Sequence, residues 1–168
     1  MKSLHPEPLT AAAFAPFGEV IAAAAATRHY AINGGNTERY HDLAELVPGP
    51  DGKLIVSLFR GQPRALPFAI EMLERHPLGS QAFMPLGDQP YLIVVAPPGP
   101  PPGPGDLRAF IAQPGEGVNY APGTWHHPLL ALNEVSDFLV IDRSGPGNNC
   151  EETAIVPAVL LTLPAASA

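Results

Sequence analysis

Proline and glycine decide what this chain can become. Its 168 residues hold 22 prolines and 16 glycines, almost twice the usual share of the two. Proline breaks helix interiors and glycine weakens them. Long helices are therefore excluded, and many short strands joined by turns are expected. Hydrophobic residues make up 46% and charged residues 15%, enough apolar surface to drive folding. The length suits one domain, read as spanning residues 1–168.

The same composition narrows the partners. A formal net charge of −7 argues against nucleic acid, whose phosphates demand a basic surface. No run approaches the roughly 20 apolar residues of a membrane span. After Lys2 the chain is interrupted by His5, Pro6, Glu7 and Pro8, and Ala22 to Ala26 follows Pro16, Gly18 and Glu19. Neither stretch reads as a secretory leader. Cys150 is the single cysteine, so no internal disulfide can form. The expectation is a soluble cytoplasmic protein.

Along the chain, Thr10 is placed to cap a short helix over Ala11 to Phe14, stopped by Pro16 and Gly18. Asn33-Gly34-Gly35-Asn36 and Pro48-Gly49-Pro50-Asp51-Gly52 are turn signals. Leu54 to Phe59 is a continuous apolar run, read as a buried strand. Further strands are expected at Gln81 to Leu86, Tyr91 to Ala96, Leu107 to Ala112, Val118 to Tyr120, Trp125 to Leu132 and Phe138 to Asp142. Pro97 to Gly105 is nearly pure proline and glycine and is read as an exposed loop, since proline donates no ladder hydrogen bond. The apolar stretch Ile155 to Leu163 is expected to dock on the body or on a partner. This rhythm predicts an all-β protein, a small barrel or jelly roll with a few short helices.

One segment signals chemistry. In Phe68 to His76, period-two alternation puts Glu74 and His76 on the face that carries Phe68, Ile70 and Met72. A carboxylate directed at an interior is costly unless paired or bound to a cation. A second cluster, Gly115 followed by Ala121-Pro122-Gly123-Thr124-Trp125-His126-His127, again joins histidines to turn glycines. Together the two resemble the two motifs of the cupin superfamily. Glu74 and His76 stand at its first two histidines, Gln81 at its glutamate, and His126 at the histidine of its second motif, while Ala121 departs from the expected proline.

Longer strings carry a closer likeness. Arg39-Tyr40-His41-Asp42-Leu43, Glu74-Arg75-His76-Pro77-Leu78-Gly79-Ser80-Gln81-Ala82-Phe83, Gly117-Val118-Asn119-Tyr120, Trp125-His126-His127-Pro128-Leu129 and Asp137-Phe138 resemble the ureidoglycolate lyase family of allantoin catabolism. The likeness runs from the N-terminal region past Cys150. It implies a single cupin-like β-barrel catalytic domain, a homodimer, and cleavage of (S)-ureidoglycolate into glyoxylate and urea.

That reaction needs a base for the C2 hydroxyl, an acid or metal to assist departure of urea, and a group that grips the carboxylate. His76, His126 and Glu74 are the candidate catalytic groups. Arg60, following its strand, is the first candidate for the carboxylate; Arg39, Arg75 and Arg143 compete, with Arg75 facing away from His76. Gln81, Asn119 and Tyr120 are further substrate-binding candidates. Glu74, His76, Gln81 and His126 are the candidate ligands of a divalent ion. The resemblance points to nickel, and metal-free catalysis remains open. Alternative readings are another small-molecule cupin enzyme, an isomerase or metal-dependent oxygenase, or a non-enzymatic cupin that binds a carboxylate. His127 faces oppositely to His126 in an extended chain, which suits a structural role, and Cys150 reads as an ordinary small residue.

Overall fold

The structure, a computed structural model, describes residues 1–164. Its elements are β1 (Ser3–Leu4), β2 (Glu7–Pro8), α1 (Ala11–Phe14), β3 (Gly18–Ile21), β4 (His29–Ile32), β5 (Thr37–Tyr40), β6 (Lys53–Gly61) and β7 (Phe68–Arg75). They continue with β8 (Gln81–Pro85), β9 (Tyr91–Ala96), β10 (Arg108–Ala112), β11 (Gly117–Tyr120), β12 (Trp125–His126), β13 (Leu130–Ala131), β14 (Ser136–Ser144) and β15 (Glu151–Leu161). The protein is nearly all β, as the proline and glycine content requires. Thr10 caps the one α-helix among the described residues, its side chain accepting from the Ala13 N–H at 3.1 Å. No helix among the described residues is long and apolar enough to cross a membrane.

Two curled sheets form a half-barrel of the β-barrel or jelly-roll kind. The larger runs β1-β15-β7-β12-β9-β10-β2, with β13 also on β9; the smaller runs β3-β11-β8-β14-β6. β4 and β5 make a separate hairpin, turned at Asn33-Gly34-Gly35, where φ is positive at all three residues. A core cluster containing Phe14, Phe17, Phe83, Ile93, Val95, Phe110, Tyr120 and Phe138 draws side chains from both sheets and fills the space between them. A second cluster, with Ile70, Leu73, Leu92, Val94, Trp125, Ile155 and Leu161, lies on the other face of the larger sheet. Every side chain of β9 is thus buried, alternating between the two clusters.

Several expectations are corrected. Leu54 to Phe59 is a strand but not a buried one. β6 is the free edge of the smaller sheet, and Val56 and Leu58 are 68% and 63% exposed. Trp125 to Leu132 is two short strands, β12 and β13, separated at Pro128, which lacks the N–H a ladder needs. The shared face of Phe68 to His76 also fails. Ile70 and Leu73, three apart, fall in the same cluster, so the alternation shifts phase between them. The shift falls where the ladder with β15 is irregular: pairing jumps from Met72–Ala154 to Ile70–Val159, a bulge that takes up Pro157. The stretch from Ile155 packs on the body, pairing with β7 and β1.

Candidate active site

Past the irregular stretch of the ladder, Glu74 faces the barrel interior. Glu74 pairs directly with His126 of β12, and His126 in turn pairs with Val95 of the inter-sheet core. Directly opposed residues on neighbouring strands share a face, so Glu74 and His126 are carried to the interior together. His76 follows β7 by one residue. A second tie joins the two motifs: the N–H of Gly123 donates to the His76 carbonyl at 2.9 Å. Gly123 sits at φ +82°, a conformation that favours glycine.

Three groups converge there. Oε1 of Glu74 lies 3.5 Å from Nε2 of His126 and 3.8 Å from Nε2 of His76. The imidazole centroids are 5.1 Å apart. The outer nitrogens are fixed by backbone: His76 Nδ1 donates to the Asn149 carbonyl at 2.8 Å, and His126 Nδ1 to the Thr124 carbonyl at 3.0 Å. A carbonyl only accepts, so both protons sit on Nδ1 and both Nε2 atoms present lone pairs in the neutral rings. Each Nε2 is buried without a hydrogen-bond partner. His126 is 1% exposed.

A carboxylate facing two lone pairs contains no hydrogen to share. The arrangement calls for a proton or a cation at its centre. The donor atoms lie within 4.8 Å of one another, and Nδ1–H donation to a carbonyl is the usual outer support of a metal-binding histidine. Glu74, His76 and His126 therefore fit a divalent ion. At 3.5 Å the Glu74–His126 contact is at the limit of a hydrogen bond. A proton on the facing His126 nitrogen would complete it, and that bond, with the charges of His126, His76 and His127 adding to it, holds the Glu74 carboxyl below its ordinary value against the opposing push of burial.

The remaining candidates divide. Gln81 pairs across β8 and β11 with Tyr120; its amide N–H donates to Asp142 at 3.2 Å, and its Oε1 is buried and unpartnered. Tyr120 stacks flat on His126, and burial raises its phenol far above the ordinary value. Asn119, one residue earlier, donates to the Glu19 carboxylate and the Glu45 carbonyl. It anchors the segment before β6 on the face opposite Tyr120.

The arginines are not gathered with the triad. Arg60 lies on the exposed face of the edge strand and forms a bidentate pair with Asp137 at 2.8 and 3.0 Å. Arg39 belongs to the separate hairpin and lies over the Tyr30 ring. Arg75 does face away from His76, stacking on Trp125 and pairing with Glu151. Arg143 donates to the carbonyls of Pro50 and Pro146. His127 is turned from the triad, donating to the Pro128 carbonyl and meeting Phe68 edge-on.

Sequence reasoning missed the segment after β14. Asn149 orients His76 through its carbonyl and also accepts the Leu78 N–H on its side chain at 2.8 Å. Cys150 touches Glu74, with Sγ 3.9 Å from Oε2. These contacts span 71 to 76 residues of chain, and no local pattern marks them.

A curled β-barrel with two imidazoles and a carboxylate converging in its interior defines a small-molecule site equipped for proton transfer or for holding a cation. The particular family comes from comparison. The ureidoglycolate lyase family model matches residues 1–162, and the chain belongs to that family. It is 56% identical over 163 residues to a ureidoglycolate lyase of Burkholderia mallei, covering 96% of this chain and 95% of that protein. It is 55% identical over 153 residues to the Azotobacter vinelandii ureidoglycolate lyase, covering 90% and 92%. Over 147 residues it is 54% identical to ureidoglycolate lyase 1 of Rhizobium meliloti, covering 87% and 85%.

Proposed function

We propose that this protein is a ureidoglycolate lyase that splits (S)-ureidoglycolate into glyoxylate and urea. The observation that carries the reading is the convergence of Glu74, His76 and His126 in a chain whose family and relatives bear that name.

The reaction asks little more than moving one proton. The C2 hydroxyl gives up its proton, its electrons form the aldehyde carbonyl, the C–N bond breaks, and the departing urea nitrogen takes a proton. A bare Nε2 on a neutral imidazole accepts the hydroxyl proton, Glu74 steadies the imidazolium, and the same pocket returns the proton to the nitrogen. Such positioned acid–base help is worth roughly 100- to 10,000-fold. Fixing both Nδ1 atoms on backbone carbonyls leaves the reacting nitrogens no other tautomer.

A divalent ion, with nickel the first choice, is part of the proposal. Glu74, His76 and His126 would hold it, with the free Oε1 of Gln81 as a further neutral donor; bound there, it would polarise the forming carbonyl. A homodimer is supported by β6, a free edge strand showing Leu54, Val56 and Leu58 to solvent, a surface that invites pairing with another chain. A cytoplasmic setting fits a chain with a single cysteine.

The test is release of glyoxylate and urea from racemic ureidoglycolate by the purified protein, with and without nickel. Half of the racemate should react rapidly, and His126→Ala should abolish turnover while retaining wild-type circular dichroism. No release above the spontaneous rate under either condition rejects the lyase reading. Equilibrium dialysis with nickel examines the ion separately: loss of binding in His76→Ala is expected.

A further inference from the structure

Arg143 is a buried cation that the proposed chemistry does not use. It follows Asp142 on β14, and Asp142 receives the Gln81 amide N–H inside the barrel. Successive side chains of a strand take opposite faces, so Arg143 lies on the outer face of the smaller sheet. Loops close over it there and leave it 9% exposed. The ion pairs of the described residues include none with Arg143. Its partners are carbonyls: Nη1 donates to that of Pro146 at 2.9 Å and Nη2 to that of Pro50 at 2.6 Å. Burying a guanidinium without a carboxylate is costly, and an apolar side chain of similar volume would fill the space at less cost.

The slot is shaped to this side chain. At Gly49, Gly52, Gly79 and Gly145 a Cβ would come within 3.0 Å of an Arg143 atom. Loops at 48–52, 78–79 and 145–147 thus close on one arginine. Two of them carry the support of His76. Gly79 lies shortly after His76 in the chain, and Pro146 shortly before Asn149. The Asn149 carbonyl accepts the His76 Nδ1 proton at 2.8 Å, and its Oδ1 accepts the Leu78 N–H at 2.8 Å. Both ends of the His76–Asn149 bond are therefore referred to Arg143. His126 has no such dependence, since the Thr124 carbonyl, two residues away, holds its Nδ1.

We propose that Arg143 is a positioning residue for the reaction. It fixes the 145–149 loop against the 76–79 segment, so that the Asn149 carbonyl keeps the His76 proton on Nδ1 and leaves Nε2 bare toward Glu74. Arginine suits the task because its planar fork reaches carbonyls on two separate loops at once, where lysine offers a point charge. The effect on turnover rests on the lyase reading; the hold on His76 does not.

The experiment compares full-length wild type, Arg143→Met and Arg143→Lys. Long-range nitrogen–proton NMR of the imidazoles, in alkaline buffer where histidine rings are neutral, reads which nitrogen carries each proton. In wild type both His76 and His126 should carry it on Nδ1. In Arg143→Met, His76 should shift toward the form protonated on Nε2, while His126 stays unchanged. Should the methionine variant fail to fold, Arg143→Lys, which keeps the charge and loses the fork, gives the same reading. For ureidoglycolate, kcat should fall roughly 10- to 100-fold, with KM little changed. A His76 proton that stays on Nδ1 in every folded variant overturns the proposal, whatever happens to turnover. A shift of both histidines together also overturns it, because that is general loosening of the barrel, as does failure of both variants to fold. Full turnover with a displaced His76 proton removes Arg143 from the reaction. Because the spectra need no substrate, a wild type that cleaves nothing counts against the lyase reading alone.

Discussion

The ring of Tyr120 lies on the imidazole of His126 with centroids 4.1 Å apart and planes 8° from parallel. This contact, with the Thr124 carbonyl on Nδ1, fixes where Nε2 points. Tyr120 is therefore expected to act through its face more than through its hydroxyl. Tyr120→Phe should keep turnover within about threefold of wild type. Tyr120→Ala should cost about 2 to 4 kcal/mol of stability, in the range of large-to-small core changes, and lower kcat more than it raises KM. Steady-state kinetics with chemical denaturation of both variants checks this. A Phe variant as damaged as the Ala variant would give the hydroxyl the leading role.

Arg60 is held by Asp137 on the outer face of the edge strand. Arg60→Ala should leave KM for ureidoglycolate unchanged, because this guanidinium is not gathered with Glu74, His76 and His126. The pair raises the pKa of Arg60 and lowers that of Asp137, yet its exposure to solvent makes its contribution to stability small. A large rise in KM would return Arg60 to the substrate-binding set.

Burial holds His127 below the ordinary histidine range, the Pro128 carbonyl opposing this only partly. The sign follows from linkage. The folded state binds this proton less readily than the unfolded state, so the stability it supports is fully present above about pH 6.5 and is lost as pH falls below that value. Thermal midpoints measured from pH 8 to pH 5 should decline on the acid side. In His127→Phe, where the ring still meets Phe68, the decline should be shallower. Identical slopes would remove His127 from the acid sensitivity.

Among the described residues β6 has no strand on its outer edge, and Val56 and Leu58 project to solvent. Replacing both with Asp should turn the proposed dimer into a monomer while altering the fold little, since neither side chain is buried. Light scattering on the eluting peak reads the mass directly. A double variant that stays dimeric places the interface elsewhere.

Much of the architecture was legible in the sequence because it depends on local chemistry. Thr10 before an alanine run capped a helix, Asn33-Gly34-Gly35 supplied the positive φ of a hairpin, and Pro128 parted β12 from β13. The Glu74 and His126 strings were legible for the same reason: turn glycines and unusual polar residues sit within a few positions of each other. The run Leu54 to Phe59 misled because apolar content reports the chemistry of a strand and not its place in a sheet; only pairing puts β6 at the edge. The phase of β7 misled because it shifts where the ladder with β15 is irregular, and that partner lies about eighty residues away in the chain.

By itself, then, the sequence determined an all-β chain and the kinds of side chain its site would use. Tertiary structure alone decided which of them meet. It brought the Asn149 carbonyl to His76 and the Cys150 thiol to Glu74, and it set Arg60 on the outer face with Asp137. The physical reason is that strand pairing, not spacing along the chain, chooses a residue's neighbours, and where a ladder is irregular the period-two alternation no longer tells which face a side chain takes.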